Sequence, residues 1–296
     1  MTALLPAQTG RQVAITVDDL PTGGDGNCSA SRVMKVNRKF LEPFQKARLP
    51  LTGFVNEGRC PELTDSQLAR ILDLWLDAGA GLGNHTYAHP DLNHTPLAAY
   101  QAEIVKGERL TRARLTARGL ELQYFRHPFL HAGPTIEIKE ALEAFLKARN
   151  YRIAPVTLDN SDWMFARVYA NAKNRNQHKF AARVRQAYIP YLESIFDFFE
   201  KRSVEVAGHE FPQVLLLHVN HLNADTMPEL LAMMKNRGYS IVPLAQALKD
   251  DTYQLADSYA GPNGFSWIHR WSHTKGLSPK GEPAEPGWIR EAFARK

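Results

Sequence analysis

Two histidines four residues apart form the strongest chemical feature of the sequence. His85 and His89 lie within residues 83–90, directly before a proline. Side chains at this spacing can point the same way from one helical turn, so the two imidazoles could share a metal ion. A catalytic metal centre also needs a third protein ligand and an open position for water. Because such a pair alone is more often structural, it predicts a metal site only if another segment supplies that ligand.

A pair of adjacent carboxylates can supply the third ligand. Asp18 and Asp19 follow a short β-branched run at residues 12–17. Neighbouring side chains of an extended chain point in different directions, so one aspartate can bind an ion while the other accepts a proton from water. Paired aspartates after a strand are otherwise common in turns and helix caps. Two histidines and one carboxylate form a ligand set suited to zinc or a similar divalent ion.

Three further residues could complete an acid–base arrangement. Arg126 near the free aspartate would hold that carboxylate ionised and oriented. His218 could protonate a leaving group, and a partner carboxylate such as Asp162 would keep the pKa of His218 near neutrality. Alone, Arg126 would be a surface residue and His218 a core histidine. Together these residues predict metal-assisted hydrolysis of an acyl bond.

The elements that must position these residues alternate between strands and helices. Short apolar runs predict the strands, and apolar residues at helical spacing occupy the intervals between them. The predicted strands cover residues 12–17, 51–55, 80–83, 122–125, 151–156, 213–217 and 239–242. This alternation predicts an α/β fold with a parallel sheet, open or closed into a barrel, whose chemistry gathers at the carboxyl ends of the strands. Since the candidate residues each follow a predicted strand, we expect them to converge on one face.

Other segments depart from this regular pattern. Residues 95–119 predict one long amphipathic helix, and residues 227–237 predict a later one. Residues 164–203 are polar and aromatic and predict one or two inserted helices, which Pro190 breaks or kinks. The C-terminal extension, residues 251–296, is rich in Gly, Pro and Trp. Because tail aromatics commonly seal a barrel, four of its residues are interpreted as packing residues rather than substrate contacts: Trp267, His269, Arg270 and Trp271.

Composition narrows the classes of partner. The chain carries 36 Lys and Arg against 31 Asp and Glu, a net charge of +5, but the basic residues are scattered and predict solvated helix faces rather than a nucleic-acid site. No apolar run of about eighteen residues is present, which excludes a membrane-spanning helix. Residues 1–8 lack the features of a secretory signal, yet a chain whose signal had been removed would look the same. We expect export, with a cytoplasmic location as the alternative.

The two cysteines do not have the spacing of metal ligands. Cys28 and Cys60 both follow predicted strands and could meet at the same end of the sheet. In an exported protein they would form a disulfide there. Two ordinary buried thiols are the alternative.

Five short motifs resemble those of the polysaccharide deacetylase (NodB-homology) family of carbohydrate esterases and occur in the family's order. Residues 16–21, TVDDLP, resemble T-F-D-D-G-P, and residues 85–89, HTYAH, fit H-[ST]-x-x-H. Residues 126–129, RHPF, fit R-x-P-[FY]; residues 159–163, DNSDW, fit D-x-x-D-W; residues 216–218, LLH, fit L-x-H. The first motif departs from the family at Val17 and Leu20, and the C-terminal extension matches no motif.

The resemblance implies a fold, a metal and a role for each residue. The fold would be a deformed (β/α) barrel with fewer than eight repeats over residues 1–250, with a helical insertion at about 164–210 and the C-terminal extension packed on it. One divalent ion, zinc or another such as Co²⁺, would be held by Asp19, His85 and His89. The implied roles of the others are: Asp18, general base; Arg126, orienting that base; His218, general acid; Asp162, tuning that acid; Phe129, oxyanion donor through its backbone N–H; Trp163, wall of the site.

The implied reaction is the removal of acetyl groups from a glycan that contains N-acetylglucosamine, such as chitin or peptidoglycan, with water held by the ion as the nucleophile. Two alternatives stay open: an O-acetyl esterase acting on an acetylated polysaccharide, and a catalytically retired carbohydrate-binding protein. The expected partner is therefore an acetylated oligo- or polysaccharide and not a nucleic acid. The sequence does not indicate an oligomeric state.

Overall fold

The structure is a computed structural model that describes residues 10–24, 26 and 28–295. The segment at residues 1–8, whose composition bears on export, lies outside the described residues. The described strands are β1 (Arg11–Leu20), β2 (Thr52–Val55), β3 (Gly81–Asn84), β4 (Tyr124–Phe125), β5 (Arg152–Ile153), β6 (Gln213–His218) and β7 (Tyr239–Ile241). They form one parallel sheet in the order β5-β4-β3-β2-β1-β6, and β7 pairs with the first residues of β1. The predicted α/β class with a parallel sheet is confirmed.

The two edges of the sheet approach each other. The segment after β5 bonds to β6 through a bridge between Leu158 and Leu215, in which Leu216 N–H donates to Leu158 O at 3.1 Å. Thr157 N–H donates to Val214 O at 3.0 Å in the same region. The sheet therefore curls into a partial barrel with helices around it, and the deformed (β/α) barrel is confirmed.

The helices of the described residues surround this sheet with their apolar faces inward. They are α1 (Ala30–Ala47), α2 (Asp65–Asp77), α3 (Leu97–Lys106), α4 (Arg109–Thr116), α5 (Ile136–Ala148), α6 (Asp162–Asn174), α7 (His178–Ala207), α8 (His221–Asn236), α9 (Leu244–Ala247), α10 (Trp267–Thr274) and α11 (Gly287–Ala294). In α2, for example, Thr64 and Gln67 form a capping box, and Leu68 and Trp75 are buried. None of the helices described here is long and apolar enough to cross a membrane.

The single helix predicted over residues 95–119 is wrong, because the structure contains two. Helix α3 ends at Gly107, where an added Cβ would lie 2.5 Å from the carbonyl carbon of Thr86. The backbone after His85 is also bonded to α3, since Tyr87 N–H donates to Glu103 O at 3.0 Å. Only glycine permits this close approach, so the chain turns at Gly107 and restarts as α4.

Of the two effects predicted for Pro190, a break or a kink, the break is wrong, because α7 continues through Pro190. A proline inside a helix removes one hydrogen bond and costs about 3 kcal/mol. Tyr188, Tyr191 and Leu192 are buried around it. Burial of three large side chains offsets a cost of this size, since each can contribute about 1.5–3 kcal/mol.

Cys28 and Cys60 form a disulfide, so the first of the two alternatives holds. The bond joins the segment after β1 to the segment after β2. Both segments lie at the carboxyl ends of the strands. The disulfide therefore fixes two neighbouring loops beside the predicted site.

The C-terminal extension contributes buried aromatic residues to the fold. Trp271 is 1% exposed, and its ring packs edge-on against Phe211 and Tyr253, with ring centroids 6.1 and 5.8 Å away. Trp267 is buried, and its ring stacks on His127 at 6.5 Å. These contacts agree with the interpretation of Trp267 and Trp271 as packing residues.

Candidate metal and acid–base site

A cavity of about 700 Å³ opens at the carboxyl ends of the strands. Of the candidate residues, those that line it are Asp18, Asp19, His85, His89, Phe129, Trp163 and His218. Arg126 and Asp162 are fully buried behind Asp18 and His218, to which they bond. The structure thus places all nine sequence-predicted residues in or directly behind one cavity.

Asp19, His85 and His89 are the one group of three or more His, Cys, Asp or Glu residues among those described that could hold a metal ion. Asp19 Oδ1 lies 3.7 Å from His85 Nε2 and 3.2 Å from His89 Nε2. Ligands about 2.0–2.2 Å from a tetrahedral ion lie roughly 3.3–3.6 Å from each other. Asp19 Oδ1 is buried and has no hydrogen-bond partner in the structure. A buried, unpaired carboxylate oxygen at these distances fits a divalent ion.

Local backbone geometry brings these three side chains together. Asp19 has φ 64° and His89 has φ 60°, in the left-handed region that residues other than glycine rarely adopt. Asn56 and Asn84 hold the histidine turn, since Asn56 Nδ2 donates to His85 O and Asn84 Oδ1 accepts from Thr86 N–H at 2.7 Å. Backbone strain of about 1–3 kcal/mol a residue persists where the surroundings enforce it, and it clusters at functional sites.

The protonation states of the group suit a cation. The Nδ1–H of His85 donates to Arg126 O at 2.8 Å, which leaves Nε2 with a lone pair facing Asp19. Burial and the neighbouring His89 hold the pKa of His85 well below its usual range, and burial also lowers the pKa of His89. Burial opposes the charge of Asp19, but His89 and Arg59 outweigh it and lower the pKa of Asp19 to about 2. Neutral imidazoles and an ionised carboxylate are the forms that bind metal ions.

Arg59 bonds to the other oxygen of Asp19. Its Nη2 lies 2.6 Å from Asp19 Oδ2. The side chain of Asp19 is 7% exposed and that of Arg59 is 30% exposed. Because Arg59 holds Oδ2, only Oδ1 faces the two histidines. The carboxylate is thereby oriented to offer one oxygen to an ion.

Asp18 is buried against Arg126. Arg126 Nη1 lies 3.2 Å from both carboxylate oxygens of Asp18, while its Nη2 donates to Thr16 Oγ1 at 3.0 Å and its Nε to Ala154 O at 2.7 Å. The guanidinium also lies 4.5 Å from the ring centroid of Phe54. Burial raises the pKa of Asp18 to about 6, although the charge of Arg126 lowers it. A carboxylate with such a pKa is suited to accept a proton near neutral pH.

His218 and Asp162 form a second pair across the cavity. The Nδ1–H of His218 donates to Asp162 Oδ1 at 2.6 Å, and its backbone N–H donates to Asp162 Oδ2 at 2.7 Å. Asn223 Nδ2 donates to the same Oδ2 at 2.6 Å. Burial disfavours a charged imidazole, but Asp162 outweighs burial and raises the pKa of His218 to about 9. His218 can therefore carry a proton at neutral pH and present its Nε2–H to the cavity.

Phe129 and Trp163 are large apolar side chains at the rim of the cavity. They are 52% and 41% exposed, and Phe129 has φ 57°. The Phe129 ring lies edge-on to His89 at 4.4 Å between centroids. Trp163 occupies the first turn of α6, next to Asp162. Exposed aromatic rings beside a polar site offer a surface for a sugar ring.

Sequence reasoning missed two residues of the site, Arg59 and His131. Arg59 belongs to no recognised motif. Asn223, by contrast, could be expected from the sequence to line the cleft; it lies in the first turn of α8 and is buried against Asp162. His131 was assigned no role, yet it lines the cavity and bonds to Asp91 at 2.7 Å. The only available signal for His131 was its position two residues after the third motif.

Comparison with known proteins is consistent with the fold and the motifs. The family model for polysaccharide deacetylase matches residues 6–144. This range contains the first three motifs, and the structure brings the fourth and fifth, at residues 159–163 and 216–218, to the same cavity. A search of curated proteins finds no match to the chain.

Several solved structures have a similar fold. A family 4 pseudoenzyme from Bacillus anthracis is 16% identical, with 83% of this chain and 70% of that chain covered and a TM-score of 0.52. The peptidoglycan deacetylase PdaC from Bacillus subtilis is 17% identical, with 83% and 94% covered and a TM-score of 0.50. The peptidoglycan N-acetylglucosamine deacetylase Bc1960 is 22% identical, with 81% and 89% covered and a TM-score of 0.50.

These structures share the fold, and the pseudoenzyme among them means that the fold alone does not establish catalysis. The amino-terminal half of the chain matches the family's sequence model, and the whole described sheet has the family's curled parallel form. The resemblance to the polysaccharide deacetylase family that the five motifs carry is therefore confirmed, with residues 6–144 matching the family's model.

Proposed function

We propose that the protein is a metal-dependent hydrolase that removes acetyl groups from the N-acetylated sugars of a glycan such as chitin or peptidoglycan. The observation that carries this proposal is the convergence of three groups on one cavity: the possible metal ligands Asp19, His85 and His89, the Asp18–Arg126 pair and the His218–Asp162 pair. A divalent ion held by the three ligands would polarise the acetyl carbonyl and lower the pKa of a water molecule. Zinc is the ion we expect, since this ligand set suits it.

The protein's own groups would move the protons. Asp18, held by Arg126, accepts a proton from the attacking water, and the Nε2–H of His218 protonates the departing sugar nitrogen as the C–N bond breaks. Acetate and a free amine are the products. The Phe129 backbone N–H is proposed to stabilise the developing oxyanion, a contribution of about 2.7–4 kcal/mol for one such donor. Trp163 and Phe129 would pack against the sugar ring.

The test combines metal binding with acetate release. Purified protein is titrated with Zn²⁺ and Co²⁺ by calorimetry and assayed on chitooligosaccharides, peptidoglycan and acetylxylan. We expect one ion a chain and acetate from the N-acetylated substrates. His85→Ala should lose the ion and the activity together, whereas His94→Ala, an exposed histidine away from the cavity, should keep both.

The outcomes separate the alternatives. Acetate from acetylxylan alone would favour the O-acetyl esterase. Glycan binding without acetate from any substrate, in the presence of added metal, would favour the retired carbohydrate-binding protein. Failure to bind an ion at all would contradict the proposed centre.

Arg59 is proposed to position Asp19 for the metal. Arg59→Gln would free Oδ2 and let the carboxylate rotate, so we expect the affinity for Zn²⁺, measured by calorimetry, to fall about 10- to 100-fold. Arg167→Gln is the matched control, because Arg167 also lines the cavity but bonds to Gly24 O rather than to Asp19. Tighter metal binding in Arg59→Gln would instead mean that the guanidinium competes with the ion for Asp19.

We also propose an oxidising compartment outside the cytoplasm as the place of action. The Cys28–Cys60 disulfide supports this, because such bonds persist mainly in exported proteins. Two structural neighbours are peptidoglycan deacetylases, and peptidoglycan lies outside the cytoplasm. Labelling of free thiols in protein taken from its native host would test it, since reactive Cys28 and Cys60 would contradict the proposal.

A further inference from the structure

The C-terminal extension matches no motif, yet it contributes one residue to the cavity beside each of the two rim aromatics, Phe129 and Trp163. Gly264 lines the cavity and lies against Phe129: an added Cβ would come 1.7 Å from Phe129 O. Just before it, Pro262 O accepts a hydrogen bond from Asn93 Nδ2 at 3.0 Å. The extension therefore adjoins the cavity at the backbone of Phe129, the residue whose ring packs on His89.

The middle of the extension stays close to the fourth motif. Glu285 accepts a hydrogen bond from Ser161 Oγ, one residue before Asp162. Glu282 lies 3.0 Å from His269 Nε2 on α10. These contacts hold the segment between α10 and α11 against the barrel, next to the residues that precede α6.

The end of the extension reaches the second rim aromatic. Phe293 of α11 lines the cavity, and its ring lies edge-on to Trp163 with centroids 5.2 Å apart. Ile289 of the same helix is fully buried. Trp288 packs on Phe180 at 5.7 Å and under Arg183 at 4.1 Å. Helix α11 therefore packs against α6 and α7 through these aromatic contacts.

This path limits how a glycan can lie in the site. A polymer bound at an internal sugar must leave the site in two directions, and the extension narrows the cavity at two points, with Gly264 beside Phe129 and Phe293 beside Trp163. The cavity volume of about 700 Å³ falls within the roughly 300–1,000 Å³ of sites that enclose a small molecule. We propose that the C-terminal extension restricts the substrate to the terminal N-acetylated sugar of a short glycan, or to a free N-acetylated amino sugar. This inference rests on the proposed function.

The test is the position at which the acetyl group is lost. Wild-type protein loaded with Zn²⁺ is incubated with N-acetylglucosamine, chitobiose, chitohexaose and a soluble long-chain chitin, and mass spectrometry locates the free amine. We expect it at a chain end, with rates per molecule that do not rise with chain length. Release from internal sugars at rates equal to those at chain ends would overturn the inference while leaving the proposed function intact.

Variants of the C-terminal extension test whether it causes the restriction to terminal sugars. Phe293→Ala, and separately a chain ending at Leu277, should raise the ratio of internal to terminal release about 10-fold or more, on the scale of losing a few pocket contacts. Arg290→Ala, at an exposed position of the same helix, is the control and should leave the ratio unchanged. An unchanged ratio in both folded test variants would overturn the inference, and absence of acetate from every substrate would overturn the proposed function with it.

Discussion

Replacing Asp18 by Asn is expected to abolish most turnover while leaving metal binding intact. Asn is nearly the same shape as Asp, but it cannot accept a proton from water at the required point of the reaction. General base catalysis contributes about 10²–10⁴-fold, so kcat should fall by that factor. Asp18 Oδ2 lies 3.9 Å from His85 Nε2, whereas the unpaired Oδ1 of Asp19 faces both histidines. Calorimetric titration with Zn²⁺ should therefore give an affinity near that of the wild type.

Loss of the Asp18 charge also lowers the stability of the folded protein, and the experiment must separate this effect from the effect on catalysis. Arg126 is fully buried, and breaking a buried ion pair from one side costs about 3–5 kcal/mol. Asp73→Asn is the matched control, because Asp73 also makes a bidentate pair with an arginine, Arg114, at 2.6–2.9 Å, but between α2 and α4. Thermal unfolding is measured for both variants. Turnover near the wild-type value in folded Asp18→Asn would show that the assigned base is wrong.

The strands and the residues that follow them were predictable from local sequence. Short β-branched and apolar runs recur between amphipathic segments, and the carboxyl ends of parallel strands share one face. That rule placed Asp18, His85, Arg126 and His218 near one another before any distance was known. The distances in the structure then show which of these side chains pair with each other; Arg126, for example, lies 3.2 Å from Asp18.

Features that depend on contacts between distant segments could not be predicted. Gly107 ends a helix only because the backbone of Thr86 lies against it, and Pro190 stays helical only because its neighbours are buried. Arg59 reaches Asp19 across 40 residues of sequence. No local period or motif encodes such contacts, because tertiary packing decides them.

The C-terminal extension shows the same limit for the site. Its aromatic residues indicated packing, and Trp271 is indeed buried against Phe211. That Phe293 would reach Trp163 could not be read from the sequence, since the segment between α10 and α11 has no predicted structure of its own. The chemistry was therefore more predictable than the shape of the cavity that selects the substrate.

Replacing Asp162 by Asn is expected to narrow the pH range of activity almost to nothing. In the wild type the base Asp18 is ionised above its pKa of about 6, and the acid His218 is protonated below its pKa of about 9. Activity should therefore be high between these two values and fall on either side. Without the Asp162 charge, burial lowers the pKa of His218, and only the smaller effects of the Asp19 and Asp18 charges oppose it, so the pKa falls from about 9 towards its ordinary value of about 6.5.

The alkaline limb of the kcat/KM profile should accordingly move from about pH 9 towards about pH 6.5, close to the pH at which Asp18 becomes protonated. At pH 8 most His218 would be neutral, so kcat/KM there should fall by about 10- to 100-fold. Asp225→Asn is the control, since Asp225 pairs with Lys39 and Lys173 on the outer side of α8, and its loss should lower stability without moving either limb. An alkaline limb that stays near pH 9 in Asp162→Asn would mean that His218 does not supply the proton. The profile therefore tests the acid independently of the base and of the metal, because Asp162 lies outside the set Asp19, His85 and His89.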